Sequence, residues 1–370
     1  MKPAGAALIR YGFRNRDEML KWAWIVVVAI ILFFGITTVF TYYSTIKYQA
    51  TYQAPSYDVS WQNAMEWVRT NTTDDSLFLH WWDYGYWVQT GGNRATVSDG
   101  GHAQGKFGGN GKIGRYVLTT PYPETAKSFM KTFNVTHLLI DHTDLGKYSA
   151  YSSIGDGDEI SDRASSLPIF SIDESQSIET SNGTGFVYVG GSYLDVDITY
   201  NNNGTIVFLP ARKAAIVAVT IELNSFGTYS QPTGVYYYNN QYYYLPVRYF
   251  ATSSTYHDFG DGLNSTIYIF PKLNGQQLDI DGALVYLSEK TMNSLFVKLY
   301  LMNDPLNEYD GLSLVYSESQ YGTEFCYDDN YYGQIKIWEV NISAMDDINV
   351  VKEFMERQGG VDDLDGIKFK

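Results

Sequence analysis

The chain has 370 residues, 45% of them apolar and 18% charged, which suffices for two or three domains with their own cores. Its formal net charge of −15 argues against a nucleic-acid partner, because a polyanion would be repelled over most of the surface. Its one cysteine, Cys326, rules out an intrachain disulfide and reads as a small buried side chain rather than a nucleophile.

The first element is an uncharged apolar run from Trp22 to Phe40, long enough to cross a bilayer as one helix. Trp22 and Trp24 stand at one end and Tyr42 and Tyr43 at the other, the pattern of an interfacial aromatic belt. Lys2, Arg10, Arg14, Arg16 and Lys21 precede the run, whereas only Lys47 closely follows it. This bias predicts a cytoplasmic segment 1–21, a transmembrane helix 22–43 and an extracytoplasmic remainder. A cleaved signal peptide is the competing reading. The run is longer than a usual signal core, and no Ala-x-Ala-like site follows it.

Beyond the anchor, residues 44–165 read as an α/β core. Trp61, Ala64, Met65 and Val68 lie at helical spacing, and Ser76–His80 is a short strand-like run. Pro123 opens a second helix to Phe133, and Asn134–Asp141 reads as a buried strand. Residues 166–285 read as an all-β insertion, a sandwich or small barrel. Short alternating runs there are separated by Asn/Gly turns and carry many of the 33 tyrosines, which suit half-buried β-surfaces. Residues 286–345 return to the core, with helical spacing over Ser288–Met302 and strands at Leu312–Tyr316 and Gln334–Val340. A helical tail is expected over 346–370. The predicted fold class is thus an α/β (α+β) core with an all-β inserted domain behind one transmembrane helix.

The chemistry concentrates at Trp81-Trp82-Asp83-Tyr84-Gly85. A carboxylate beside two indoles offers hydrogen-bonding points on an apolar wall, a pocket suited to a Ser or Thr side chain. The alternative is a buried strand end, with Asp83 capping a helix that starts at Tyr84. The five histidines lack the i, i+4 spacing of a zinc motif, and no nucleophile elbow is present. Gly105–Gly114 lacks the ending of a phosphate-binding loop and reads as a flexible loop. Sequons begin at Asn71, Asn134, Asn182, Asn203, Asn264 and Asn341; Asn134 is expected to be buried and a poor acceptor.

The five-residue cluster, followed by Asn93-Arg94, Asp99-Gly100 and His102, resembles the catalytic subunit of archaeal and eukaryotic oligosaccharyltransferase. The likeness is strong over about residues 20–155 and architectural beyond. It implies that Trp81, Trp82 and Asp83 hold the hydroxyl of the acceptor Asn-X-Ser/Thr sequence, with Lys147 of an Asp144-x-x-Lys147 motif completing the pocket. Tyr84, Gly85, Asp144 and Tyr151 would support it. Tyr151 stands where the family has Met or Ile, which leaves Ile154 as an alternative contact for the threonine methyl. The implied reaction transfers a lipid-linked oligosaccharide to the asparagine amide with the help of Mn²⁺ or Mg²⁺. The resemblance puts the ion's ligands in a multi-helix membrane half outside this chain, so no catalytic or metal-binding residue is expected here. A separate multi-spanning membrane subunit is a possible partner, and the chain alone is expected to transfer nothing. The competing reading is a single-pass, β-rich surface or adhesion protein with a structural Trp cluster.

Overall fold

A computed structural model describes residues 4–52, 56–101, 109–157, 161–181, 183–202, 204–319, 322–328, 330–345 and 347–355. It divides into two compact units, residues 1–58 and 59–370.

The first unit is one helix, α1 (Ala4–Tyr52). Its stretch Glu18–Thr51 is long and apolar enough to cross a membrane. Large apolar side chains from Trp22 to Tyr43 are exposed around the whole circumference of the helix. Such a surface is stable in lipid rather than in water. The segment before Trp22, expected to be separate from the membrane helix, continues it from Ala4 without a break.

In the second unit, α2 (Val59–Asn71) buries Trp61, Ala64, Met65 and Val68, the positions expected from their spacing. Next come β1 (Leu77–Leu79), α3 (Gly85–Trp87), β2 (Ala95–Thr96) and α4 (Gly109–Ile113). Then α5 (Pro123–Thr132) carries Pro123 in its first turn and buries Ala126, Phe129 and Met130. β3 (His137–Ile140) and α6 (Asp144–Ile154) complete the first pass. All four residues of β3 are buried, because it is the central strand of a five-stranded mixed sheet ordered β15-β18-β3-β1-β2. The outer pair, β15 (Leu312–Glu318) and β18 (Ile335–Val340), is contributed by chain that follows the β-rich region.

Between them lie β4 (Ile169–Ile172), β5 (Ile178–Thr180), β6 (Gly183–Tyr193), β7 (Ile198–Asn202), β8 (Thr205–Leu209), β9 (Ala215–Asn224) and β10 (Thr233–Tyr238). They are followed by β11 (Gln241–Ala251), β12 (Tyr256–Asp258), β13 (Leu263–Asn274) and β14 (Gln277–Leu287). Seven of these close a barrel in the order β11-β10-β9-β6-β4-β14-β13. The seam is a parallel pairing of β11 with β13 that sets Phe250 against Ile267. The pairing with β11 ends at Tyr268, and beyond it the same edge of β13 pairs at Lys272 with β16 (Phe325–Tyr327), which carries β17 (Asn330–Tyr332). The interior is filled by alternate residues such as Ile216, Val219, Ile221, Leu245 and Val247, each worth about 1.5–3 kcal/mol on burial. Cys326 is buried, as expected.

Several expectations are corrected. Ser288–Met302 is not one α-helix: α7 (Glu289–Met292) is followed by a π-helical turn, Phe296–Leu301, with five of its six residues buried. Gly105–Gly114 is helical from Gly109 onward, and residues 102–108, His102 among them, lie outside the described residues. The expected helical tail is, over residues 347–355, a single turn at Lys352–Phe354. Residue 346 and residues 356–370 lie outside the described residues. Asn134 is exposed, because it takes a left-handed backbone (φ 53°) to turn the chain after α5.

Candidate functional site

The chain leaves β1 at Leu79 and enters three successive kinds of helical turn. These are a 3₁₀ turn at Trp82–Tyr84, α3, and a π turn at Val88–Gly92. The tight path depends on Gly85. A Cβ there would lie 2.5 Å from the Asp99 Cβ and 2.6 Å from its Cα. Asp83 does not cap a helix, contrary to the structural alternative: neither short helix receives a side-chain cap.

Asp83 is instead held by Lys147, whose Nζ donates to Asp83 Oδ2 at 2.6 Å and to the Tyr84 hydroxyl at 2.9 Å. Asp144, three residues before Lys147, accepts from the Tyr84 hydroxyl at 2.9 Å and from the Asp141 backbone N–H at 3.0 Å. Tyr84 is fully enclosed and packs on Trp61 at 5.0 Å between ring centres, so its hydroxyl is a fixed junction between the two motif segments. The geometry thus brings Lys147 to the carboxylate of the Trp-Trp-Asp turn.

The other Asp83 oxygen, Oδ1, is buried and has no hydrogen-bond partner among the described residues. A buried carboxylate oxygen left unpaired costs free energy, so such an atom calls for an explanation. The Asp83 and Lys147 side chains are 29% and 32% exposed, so the pair borders solvent while Oδ1 itself is covered. Trp82 is likewise half-buried, whereas Trp81 is only 3% exposed. Trp81 packs against Tyr151, with ring centres 5.4 Å apart. Tyr151 is fully buried, and its hydroxyl donates to the Asp144 backbone carbonyl at 3.2 Å.

Burial dominates the electrostatics. It raises the Asp83 carboxyl above the usual range, against the opposing pull of Lys147. It raises Asp144 further, to about 7, with Lys147 again opposing and Asp141 and Asp83 adding repulsion. For Asp141 burial also pushes upward but is outweighed by His142 and Thr143, which leave it lowered. His80 is held down to about 4 by burial, despite its bond to the Trp81 carbonyl at 2.7 Å.

Asp141, Tyr84's junction role and the orphan oxygen were not legible in the sequence; an Asp closing an apolar strand was the only available signal. Arg94, part of the resemblance, is a structural clamp: it donates to the carbonyls of Arg69 and Thr72 at the end of α2. Asp99 accepts from the Gly101 backbone and from Gln89. Among the described residues no group of three or more His, Cys, Asp or Glu side chains is placed to hold a metal. The acidic cluster does not fit a divalent ion, because the Lys147 ammonium occupies the position between Asp83 and Tyr84 that a cation would take.

The family model described as the STT3/PglB/AglB core domain matches residues 74–137, a span that contains the Trp-Trp-Asp turn and Gly85. Over these residues the chain is similar to the core domain of that family. The Asp144–Lys147 segment lies just beyond the matched span of this core domain. Dolichyl-phosphooligosaccharide-protein glycotransferase 1 of Pyrococcus horikoshii is 46% identical over 46 residues, which are 12% of this chain and 5% of that protein. The STT3B subunit of the Arabidopsis thaliana dolichyl-diphosphooligosaccharide–protein glycosyltransferase is 29% identical over 93 residues, 25% of this chain and 12% of the relative. The chain therefore spans a small part of the length of the curated relatives it matches. Among solved structures, the C-terminal domain of C. jejuni PglB aligns with 76% of this chain and 99% of its own, at 11% identity and a TM-score of 0.41.

Proposed function

We propose that the Trp82–Asp83–Lys147 site binds the Ser/Thr hydroxyl of an Asn-X-Ser/Thr acceptor, as the recognition part of an oligosaccharyltransferase. The observation that carries this reading is the division of labour on Asp83. One oxygen is fixed by Lys147, and the other is an unpartnered acceptor beside a half-exposed indole. A hydroxyl donor supplies the missing bond, and a side chain without one leaves the oxygen unpaired. Trp81 and Tyr151 then serve as the rigid back of the site, with Tyr84, Gly85 and Asp144 holding it in place.

The relatives are named as glycotransferases that act on protein, which supports transfer of a lipid-linked oligosaccharide to the acceptor asparagine as the reaction served. In this reading the divalent ion, Mn²⁺ or Mg²⁺, and the lipid carrier are held outside this chain by a multi-spanning membrane partner. The helix Glu18–Thr51 anchors the chain with its N-terminus in the cytoplasm, as the flanking charges favour. The purified chain binds acceptor but transfers nothing. The test is peptide affinity: an Asn-X-Thr peptide should bind about tenfold or more tightly than its Asn-X-Ala counterpart. Equal affinities would instead support a surface protein with a structural Trp cluster.

A further inference from the structure

The outer face of the barrel carries an ordered patch over β6, β9, β10 and β11. On these strands Tyr188, Val219, Tyr236 and Leu245 point into the core, so the residues that alternate with them point outward. Pairing across the four strands sets the outward residues in rows. One row is Tyr193, Ala215, Tyr237 and Tyr242. The next is Val189, Ala218, Val235 and Tyr244. The third is Val187, Thr220, Thr233 and Pro246. None of these residues is charged, and only Val235 is buried. β9 thus contributes a floor of small side chains, Ala215, Ala218 and Thr220. Tyr193 on β6 and Tyr237 on β10 flank it, two strand spacings or about 10 Å apart along the row. Tyr237 is held in place: its ring packs on Tyr242 at 5.1 Å, and its hydroxyl donates to Asn240 Oδ1 at 2.9 Å. Tyr193 is 71% exposed, and its hydroxyl and those of Tyr242 and Tyr244 make no hydrogen bond among the described residues.

The face selects among ligand classes. Its three rows hold no Lys, Arg or His, so phosphates, sulfates and carboxylates meet no counter-charge there, in a chain of net charge −15. Charge returns only beyond the rows, with Arg212 and Lys213 before β9 and Glu222 after Thr220. Each of the four strands is paired on both sides, so the face offers no open ladder to an extended peptide. Four strands about 4.8 Å apart and three rows about 6.8 Å apart make a face of about 400 Å², about half of what each partner buries in a stable protein interface. A second copy of the chain would also bring its own charge of −15. An alkyl chain would strip water from the tyrosine and threonine hydroxyls and give no bond in return. A neutral sugar suits every part of the surface. Its C–H faces lie on the tyrosine rings, and its hydroxyls exchange bonds with the tyrosine and threonine hydroxyls.

We propose that this outer face of the barrel is a binding platform for a linear neutral oligosaccharide, separate from the Asp83 site and independent of the function proposed for it. The sugars lie along the floor of β9 and stack on Tyr193 and Tyr237, with the hydroxyls of Tyr242 and Tyr244 beside them.

The test is calorimetric titration of the full chain held in phospholipid nanodiscs. The probes are maltotriose, mannotriose and chitotriose, with a trigalacturonic acid as the anionic control. Saturable binding of at least one neutral probe is expected, with no binding of the anionic one. Tyr193→Ala and Tyr237→Ala should each weaken that binding about tenfold. Tyr193→Phe keeps the ring and should recover most of the loss. Ala218→Arg sets a long charged side chain on the floor and should abolish binding. These positions lie on the outer face, so folding is preserved; an unchanged unfolding midpoint verifies this. Absence of saturable binding by all three neutral probes would overturn the proposal. So would equal binding of the anionic probe, or neutral binding unaltered in both Tyr193→Ala and Ala218→Arg.

Discussion

Between Trp82 and Gly92 the backbone passes through 3₁₀, α and π turns in direct succession, whereas β6, β13 and β14 of the barrel run 11, 12 and 11 residues in ladders. The irregular region also concentrates buried carboxylates, an enclosed tyrosine hydroxyl and a glycine pressed against a neighbouring backbone. The barrel has bulges, but its interior is an alternation of aliphatic and aromatic residues. The contrast separates two uses of sequence. In the barrel most local preferences agree with the global fold. At the site, local costs are sustained by the surrounding packing, which is the usual mark of a functional region.

The sharpest test of that contrast is Trp81→Ala. Trp81 is nearly enclosed against Tyr151, so truncation should cost about 3–5 kcal/mol in chemical unfolding of the full chain followed by tryptophan fluorescence. A loss under about 1 kcal/mol would mean that the turn is not rigidly backed. Gly85→Ala comes next. With the Asp99 backbone 2.6 Å from the new methyl carbon, the turn must shift, at about 1–3 kcal/mol. Loss of acceptor-peptide binding should accompany it, since Asp83 and Tyr84 precede that glycine directly.

A third effect depends on pH. Asp144 titrates near 7 in the fold against 3.8 ordinarily, so between those values the folded chain keeps a proton that the unfolded chain has released. Its contribution to stability therefore falls as pH rises from about 4 to about 7. His80 works the other way over about 4 to 6.5, because it stays neutral in the fold while the unfolded chain takes up a proton. Comparison with Asp144→Asn isolates the first contribution. The variant should gain on the wild type, by about 3 kcal/mol, as unfolding is repeated from pH 4.5 to pH 7.5. A difference independent of pH would place the Asp144 carboxyl in the ordinary range. Smallest of all, Tyr242→Ser on the barrel exterior should change stability by no more than about 0.5 kcal/mol, since that side chain is 60% exposed.

Much of the regular structure was legible in the residues. The Trp61–Val68 spacing marks α2, and Asn/Gly turns mark the ends of barrel strands. The parallel seam between β11 and β13 was not, because it joins segments whose partners no local pattern specifies. The π turn at Phe296–Leu301 is indistinguishable from ordinary helix in the residues, since an apolar run buried on nearly all sides carries no decisive period. Asp144–Ile154 carries a motif but no helical signal, its serines and tyrosines giving no apolar stripe. The resemblance places Lys147 in one pocket with Asp83, but the ion pair between them, a contact across 64 positions of sequence, is not legible in the residues.

The central claim is that Asp83 Oδ1 awaits a hydroxyl, and a double-mutant cycle tests it most directly. Affinities are measured for Asn-Val-Thr and isosteric Asn-Val-Val peptides, each on wild type and on Asp83→Asn. A coupling of about 1–3 kcal/mol between the two changes is expected, with the valine peptide nearly indifferent to the substitution. Additive effects, with no coupling beyond about 0.3–0.5 kcal/mol, would contradict the account.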